Sequence, residues 1–204
     1  MAPRRKYTLG KRAASVAATR QRIIEAAVAS YRQQGILGTS MQAVARQADV
    51  AAGTVLYHFP TREELAQAVL ADLWETLHMP TADIFAGADS LGERVGRLVH
   101  ALFALYERTT EWGEIYVREK DQVQALVAAE AQFGEAVLAL VQQALGPMSA
   151  DEQAIPVVLT LTDPHNLAAL TRTGMSVEAA ADTVTEVLLA WLGRRAAVST
   201  VEGD

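Results

Sequence analysis

Hydroxyl and guanidinium groups recur between residues 39 and 62, at Thr39, Ser40, Arg46, Thr54 and Arg62. Such groups hydrogen-bond phosphate oxygens and base edges. Thr39 and Ser40 stand where a helix opens, so their hydroxyls and the first backbone N–H groups offer a phosphate site. Pure capping is the plainer role for the same pair, and the two are compatible. Thr54 is the best base-edge candidate because its hydroxyl both donates and accepts. Ala51 and Ala52 could read only by apolar contact, as with thymine methyls. Arg62 is a candidate phosphate ligand, while Arg46 either touches a backbone phosphate or is simply solvated.

Charge partitions in the same sense. Residues 1–62 hold ten Lys/Arg against Glu25 and Asp49, a net +8. The remainder holds eight basic and twenty-two acidic residues, a net −14, which gives −6 over 204 residues. A basic head on an acidic body points to a polyanion for the head alone.

Enzyme chemistry finds little support. The chain has no Cys, so disulfides, Cys-ligated zinc and thiol catalysis are excluded. Asp163 and His165 have no evident Ser partner, and Glu75-x-x-His78 is one isolated match to a motif that a di-iron bundle must repeat. Glu111, Glu114, Glu119 and Asp121 cluster at surface-helix spacing. No metal site and no cofactor are expected. Residues 1–20 lack an apolar h-region, and no run of about 18 uncharged apolar residues occurs, so no membrane association and a cytoplasmic location are expected.

The elements that position these groups are helices. Residues 1–18 have no apolar period and read as a flexible basic arm, either touching DNA or carrying incidental charge. Ile23, Ile24, Ala27, Val28 and Tyr31 recur at helical spacing over 19–34, and Gly35 stops that helix. Thr39-x-x-Gln42 reads as a capping box opening a second helix with Met41, Val44, Ala45 and Ala48 inward. Asp49 suits a left-handed turn residue, Val50 plugs the turn, and a third helix runs from about Ala51 to His58. Thr61-x-x-Glu64 opens a fourth, which ends at Pro80. Ser90-x-x-Glu93 and Ser149-x-x-Glu152 read as further capping boxes, Asp163-Pro164 as an N-cap with Pro at the first position, and Ser176 as the cap of the last helix.

Residues 19–65 resemble the DNA-binding domain of TetR-family transcriptional regulators. The matching features are Thr39/Ser40, Val44-Ala45, Ala48-x-Val50, Gly53-Thr54, Tyr57-His58-Phe59-Pro60 and Glu63-Glu64-Leu65. The resemblance implies an all-α protein: a three-helix helix-turn-helix domain over 19–65 (motif about 40–59) and a helical ligand-binding and dimerisation domain over 66–204. It implies a homodimer on a near-palindromic operator in double-stranded DNA, acting mostly as a repressor released by a small-molecule effector. It aims Tyr57 and His58 at phosphates and gives Gly53 the role of close approach. Two departures stand out. Leu56 occupies the family's first Tyr slot, and Ala51 replaces a capping Ser. A helical interaction protein with a sequence-blind basic face is the competing reading.

For the effector, the candidates are Trp74, His78, Phe103, Tyr106, Trp112, Tyr116, Phe133 and Asn166, which either line a cavity or fill ordinary core. The apolar stripe Val184, Leu188 and Trp191 of the last helix is the expected dimer face.

Overall fold

The computed structural model describes the backbone of residues 5–201 and the side chains of residues 13–197. Ten α-helices and two short 3₁₀ turns, Ala82–Phe85 and Gly146–Ala150, account for nearly all of it, so the chain is all-α. The helices are α1 (Arg5–Gly38), α2 (Met41–Gln47), α3 (Ala52–His58), α4 (Arg62–Thr76), α5 (Leu91–Arg108), α6 (Thr110–Glu119), α7 (Gln124–Leu145), α8 (Ala154–Leu161), α9 (Pro164–Arg172) and α10 (Val177–Val201).

They divide into two compact units. The head is Met1–His78 with Glu111–Glu130, and the body is Met79–Thr110 with Ala131–Asp204. The boundary expected after Leu65 is not where the chain divides. Leu65, Ala66 and Val69 of α4 are buried in the head core, which also takes Trp112, Ile115 and Val123 from α6 and the turn after it. The expected flexible arm is corrected as well: from Arg5 onward it is helix, continuous with α1. Ala13, Ala14, Ala17 and Ala18 supply the helix propensity there without needing an apolar stripe. Residues 1–4 lie outside the described residues.

Side-chain caps open half of the α-helices. Thr61, Ser90, Asp163 and Ser176 each accept an N–H from the first turn that follows. At Ser90 the box is reciprocal, with Glu93 taking the N–H groups of Asp89 and Ser90. Two boxes are corrected. Ser40, not Thr39, caps α2, accepting from Ala43 N–H at 3.1 Å. Ser149 instead donates to Gly146 O, and α8 starts only at Ala154. There Asp151 accepts the Gln153 N–H at 2.9 Å, a turn-type bond that competes with helix start at Ser149.

In the body, α10 packs on α5, and Gly96 lets Thr185 approach closely: a Cβ there would sit 3.6 Å from its methyl. The core combines Val95, Leu98, Val99, Leu102 and Phe103 of α5 with Leu140, Val141 and Leu145 of α7 and Leu188 and Leu192 of α10. The segment Gln124–Ala150 reaches a mean hydropathy of 1.3 and is long enough to cross a membrane by composition. It contains Glu130 and Glu135, and its hydropathy reflects many alanines beside the core residues Val137, Leu140, Val141, Ala144 and Leu145.

Candidate nucleic-acid interface

The head builds one outward surface around α3. Val55 and Phe59 are buried, which fixes the opposite side of α3 toward solvent. Ala51, Ala52 and Gly53 are exposed there, and a Cβ at Gly53 would meet nothing within 4 Å. Tyr57 is 76% exposed and Leu56 49%, while Thr54 and His58 are half-buried. Tyr57 and His58 stack edge-on with ring centroids 5.3 Å apart. The Arg20 guanidinium lies 5.0 Å over the Phe59 ring and adds a cation–π contact at the C-terminal end of α3. Asp49 has φ 52°, the left-handed setting expected of the turn, and Val50 packs against the core. Ala51 caps α3 without a side-chain bond, as its type requires.

The structure redistributes the other DNA candidates. Thr39 is 2% exposed and its hydroxyl donates to Gly35 O at 2.7 Å, so that hydroxyl is withdrawn from the surface. Ser40 and Arg46 are exposed on α2 and its cap. Arg62 is exposed but donates to Leu37 O at 3.4 Å, inside the head.

Below this surface lies a residue that the sequence reading misplaced. Glu119 belongs to the acidic cluster read as surface, yet it is 3% exposed. Its Oε2 accepts the N–H groups of Ile36 at 2.8 Å and Leu37 at 3.0 Å, and its Oε1 takes the Arg118 guanidinium at 3.1 Å. The signal was present in α6: Trp112, Ile115 and Glu119 are spaced three and four apart, so Glu119 continues an apolar stripe. Nearby Tyr31 is buried, and that burial, opposed by Arg62, pushes its phenol well above the ordinary range.

The eight effector candidates divide between the two units. Trp74, His78, Trp112 and Tyr116 belong to the head, and Phe103, Tyr106, Phe133 and Asn166 to the body. Trp112 and Tyr116 pack in the head core. His78 is exposed, with Nδ1 2.6 Å from Thr76 O. Asn166 donates to Thr160 O. In the body, Tyr106 bridges Phe103 and Phe133 at centroid distances of 6.4 and 6.1 Å, and burial raises its phenol far above the ordinary range. An open cleft of about 550 Å³ lies elsewhere in the body, lined by Pro147, Met148, Asp151 and Arg195 and by none of these candidates. Arg195 grips Asp151 with two bonds of 2.8 and 3.0 Å, which holds that carboxyl below its ordinary range. Among the described residues no group of three or more His, Asp or Glu is placed to hold a metal ion.

The expected dimer stripe is also corrected. Val184 is 7% and Leu188 0% exposed within a single protomer, because they fill the body's own core against α5. Trp191 is half-buried with Arg195 5.7 Å from its ring centre, and Val187 is 51% exposed.

The family described as bacterial regulatory proteins, tetR family, matches residues 23–69, from the core of α1 into α4. Over those residues the chain is similar to the tetR family. The HTH-type transcriptional regulator RutR of Escherichia coli K12 is 39% identical over 70 residues, 33% of each chain. The chain thus matches about a third of the length of such curated relatives. Two solved structures cover far more. The multidrug binding protein EbrR, in complex with imidazole, is 28% identical with a TM-score of 0.59, over 84% of this chain and 88% of that one. A putative TetR-family regulator of Mesorhizobium loti superposes with a TM-score of 0.66 at 21% identity, over 86% and 96%, and shows the fold. The matched family and RutR are regulators of transcription rather than enzymes.

Proposed function

We propose that this chain is a tetR-family regulator of transcription that binds DNA sequence-specifically, working in the cytoplasm as a homodimeric repressor that a small molecule releases from a palindromic operator. The observation that carries the reading is the outer side of α3. A tyrosine 76% exposed and a leucine 49% exposed stand on a seven-residue helix within the basic segment 1–62, sealed to the head core by Val55 and Phe59. Solvation alone gives no reason to hold large apolar surface there, whereas a major groove does.

Base reading falls to few groups. Thr54 and the small Ala51 and Ala52 face the bases, Leu56 adds apolar contact, and Tyr57, His58, Ser40 and Arg46 hold phosphates. Specificity then rests partly on DNA shape. In the dimer, two α3 helices lie about 34–36 Å apart in successive major grooves. The outward side of α10, with Val187 and Trp191, forms the self-association surface. The Phe103–Tyr106–Phe133 cluster is the body's candidate for effector contact, and the ligand-bound EbrR supports an effector for this chain.

The test is selection of bound duplexes from a random pool, repeated across salt concentrations. One inverted repeat is the expected result. Binding that is sequence-blind and salt-labile reduces the head to a basic patch. In the same assay Tyr57→Ala weakens binding about tenfold or more; an unchanged affinity removes Tyr57 from the interface.

A further inference from the structure

Among the described residues Glu119 is the one charged side chain in the buried class. It reaches the head's motif from about eighty residues away, and neither the family match over 23–69 nor the DNA-facing surface accounts for it.

We propose that Glu119 is a positioning residue for DNA binding: it fixes the junction between α1 and α2, and with it the setting of the helix-turn-helix, without touching DNA. This rests on the DNA-binding reading above.

The junction explains the need. Gly35 has φ 76° and ψ 173°, which interrupts α1. That ψ turns the following peptide out of its helical setting, so the Ile36 N–H requires an acceptor from elsewhere. A carboxylate is suited to the task. It offers several lone pairs at one point and binds N–H groups more strongly than a neutral acceptor. Glu119 Oε2 serves both Ile36 and Leu37, and Arg118 neutralises the charge at Oε1. The fit is mutual: a Cβ on Gly35 would stand 1.9 Å from Glu119 Oε1. Carbonyls of the junction are also paired, that of Ile36 by the Thr39 N–H at 3.3 Å. Thr39 donates to Gly35 O and Arg62 to Leu37 O. The backbone course from Gly35 to Ser40, which decides how α2 leaves α1, is therefore held from α6.

The experiment compares the full-length wild type with Glu119→Gln and Glu119→Ala. Amide hydrogen exchange of Ile36 and Leu37 is read in the free protein, and affinity is read on the selected duplex. Exchange at these two amides, relative to Val44, rises from wild type to Gln to Ala, by about threefold and about tenfold. Affinity falls in the same order and by similar factors. The salt dependence stays that of wild type, since no phosphate contact is removed. If the Ala variant does not fold, the Gln variant decides. Unchanged exchange in Glu119→Gln, raised exchange with undiminished affinity, or a flattened salt dependence overturns the role of Glu119. A wild type that binds no duplex overturns the DNA reading itself, which is a different result from a binding wild type with an indifferent Gln variant.

Discussion

Helix α3 of the head and helix α10 of the body dispose of their apolar residues in opposite ways. The seven residues of α3 bury Val55 and leave Leu56 and Tyr57 outside. Among the described side chains of α10, Val184, Leu188 and Leu192 are inside and Val187 is the large apolar residue exposed. α3 turns most of its surface outward, whereas α10 commits large apolar residues to the protomer's own core. An apolar stripe on a terminal helix is therefore no evidence of self-association until its intramolecular partner is known.

The sharpest way to break this contrast is Leu188→Ala. Leu188 is fully buried between α5 and α10, so the body should lose about 2–5 kcal/mol, read as a lowered thermal or denaturant midpoint. Val187→Asp on the opposite side should leave the midpoint within about 0.5 kcal/mol of wild type while weakening self-association in sedimentation. If Leu188→Ala instead changes only association, the core assignment of α10 fails.

Gly35→Ala comes next and tests the head. The residue must keep a positive φ, and its new methyl meets the Glu119 carboxylate at 1.9 Å. Backbone strain alone predicts a loss of about 1–3 kcal/mol. The loss should appear in the head's amides and leave the α5 and α10 amides unchanged.

These two sites also mark what the sequence could reveal. Many local signals were sound: the left-handed Asp49, the Ser90–Glu93 box, the Asp163-Pro164 start and the missing cap at Ala51 all depend on neighbours within a few residues, whereas the Ser149 box lost to the Asp151 turn beside it. The Thr39 box was displaced by one because two adjacent hydroxyls compete for the cap, and the buried one turned to Gly35 O. Partners distant in the chain were the failures. Nothing near Glu119 states that Ile36 and Leu37 will need an acceptor, and nothing in α10 states which stripe α5 will cover. The effector candidates divide between two cores for the same reason: aromatic residues of separate cores look alike in one dimension.

A smaller effect belongs to the start of α5. Ser90→Ala removes the cap and should cost the body about 1 kcal/mol. Its partner Glu93 adds a pH signature. The Ser90 and Asp89 N–H groups hold the Glu93 carboxyl below its ordinary range. Its contribution is thus fully present above the unfolded-state value and is lost as pH falls through the folded one. Glu93→Gln should flatten that acid limb of the stability curve; an unaltered limb would assign it to other carboxylates, Asp151 first among them.

The smallest expected change carries the contrast furthest. α2, α4, α5, α9 and α10 begin at a side chain that accepts a first-turn N–H, whereas α3 begins at Ala51, which has none. α8 also starts without a side-chain bond, at Gln153, but α3 lacks one while the helices on either side of it obey the rule, a local departure of the kind expected where function sets the residue. Ala51→Ser supplies the cap and should raise the head's stability by about 0.5–1 kcal/mol, with no effect on the body. If the small methyl of Ala51 reads a base, the same substitution should weaken or change the preference at one symmetric pair of operator positions in the duplex selection. A more stable head with an unchanged operator would show that Ala51 is merely unoptimised, and would move base reading toward Thr54 and Leu56.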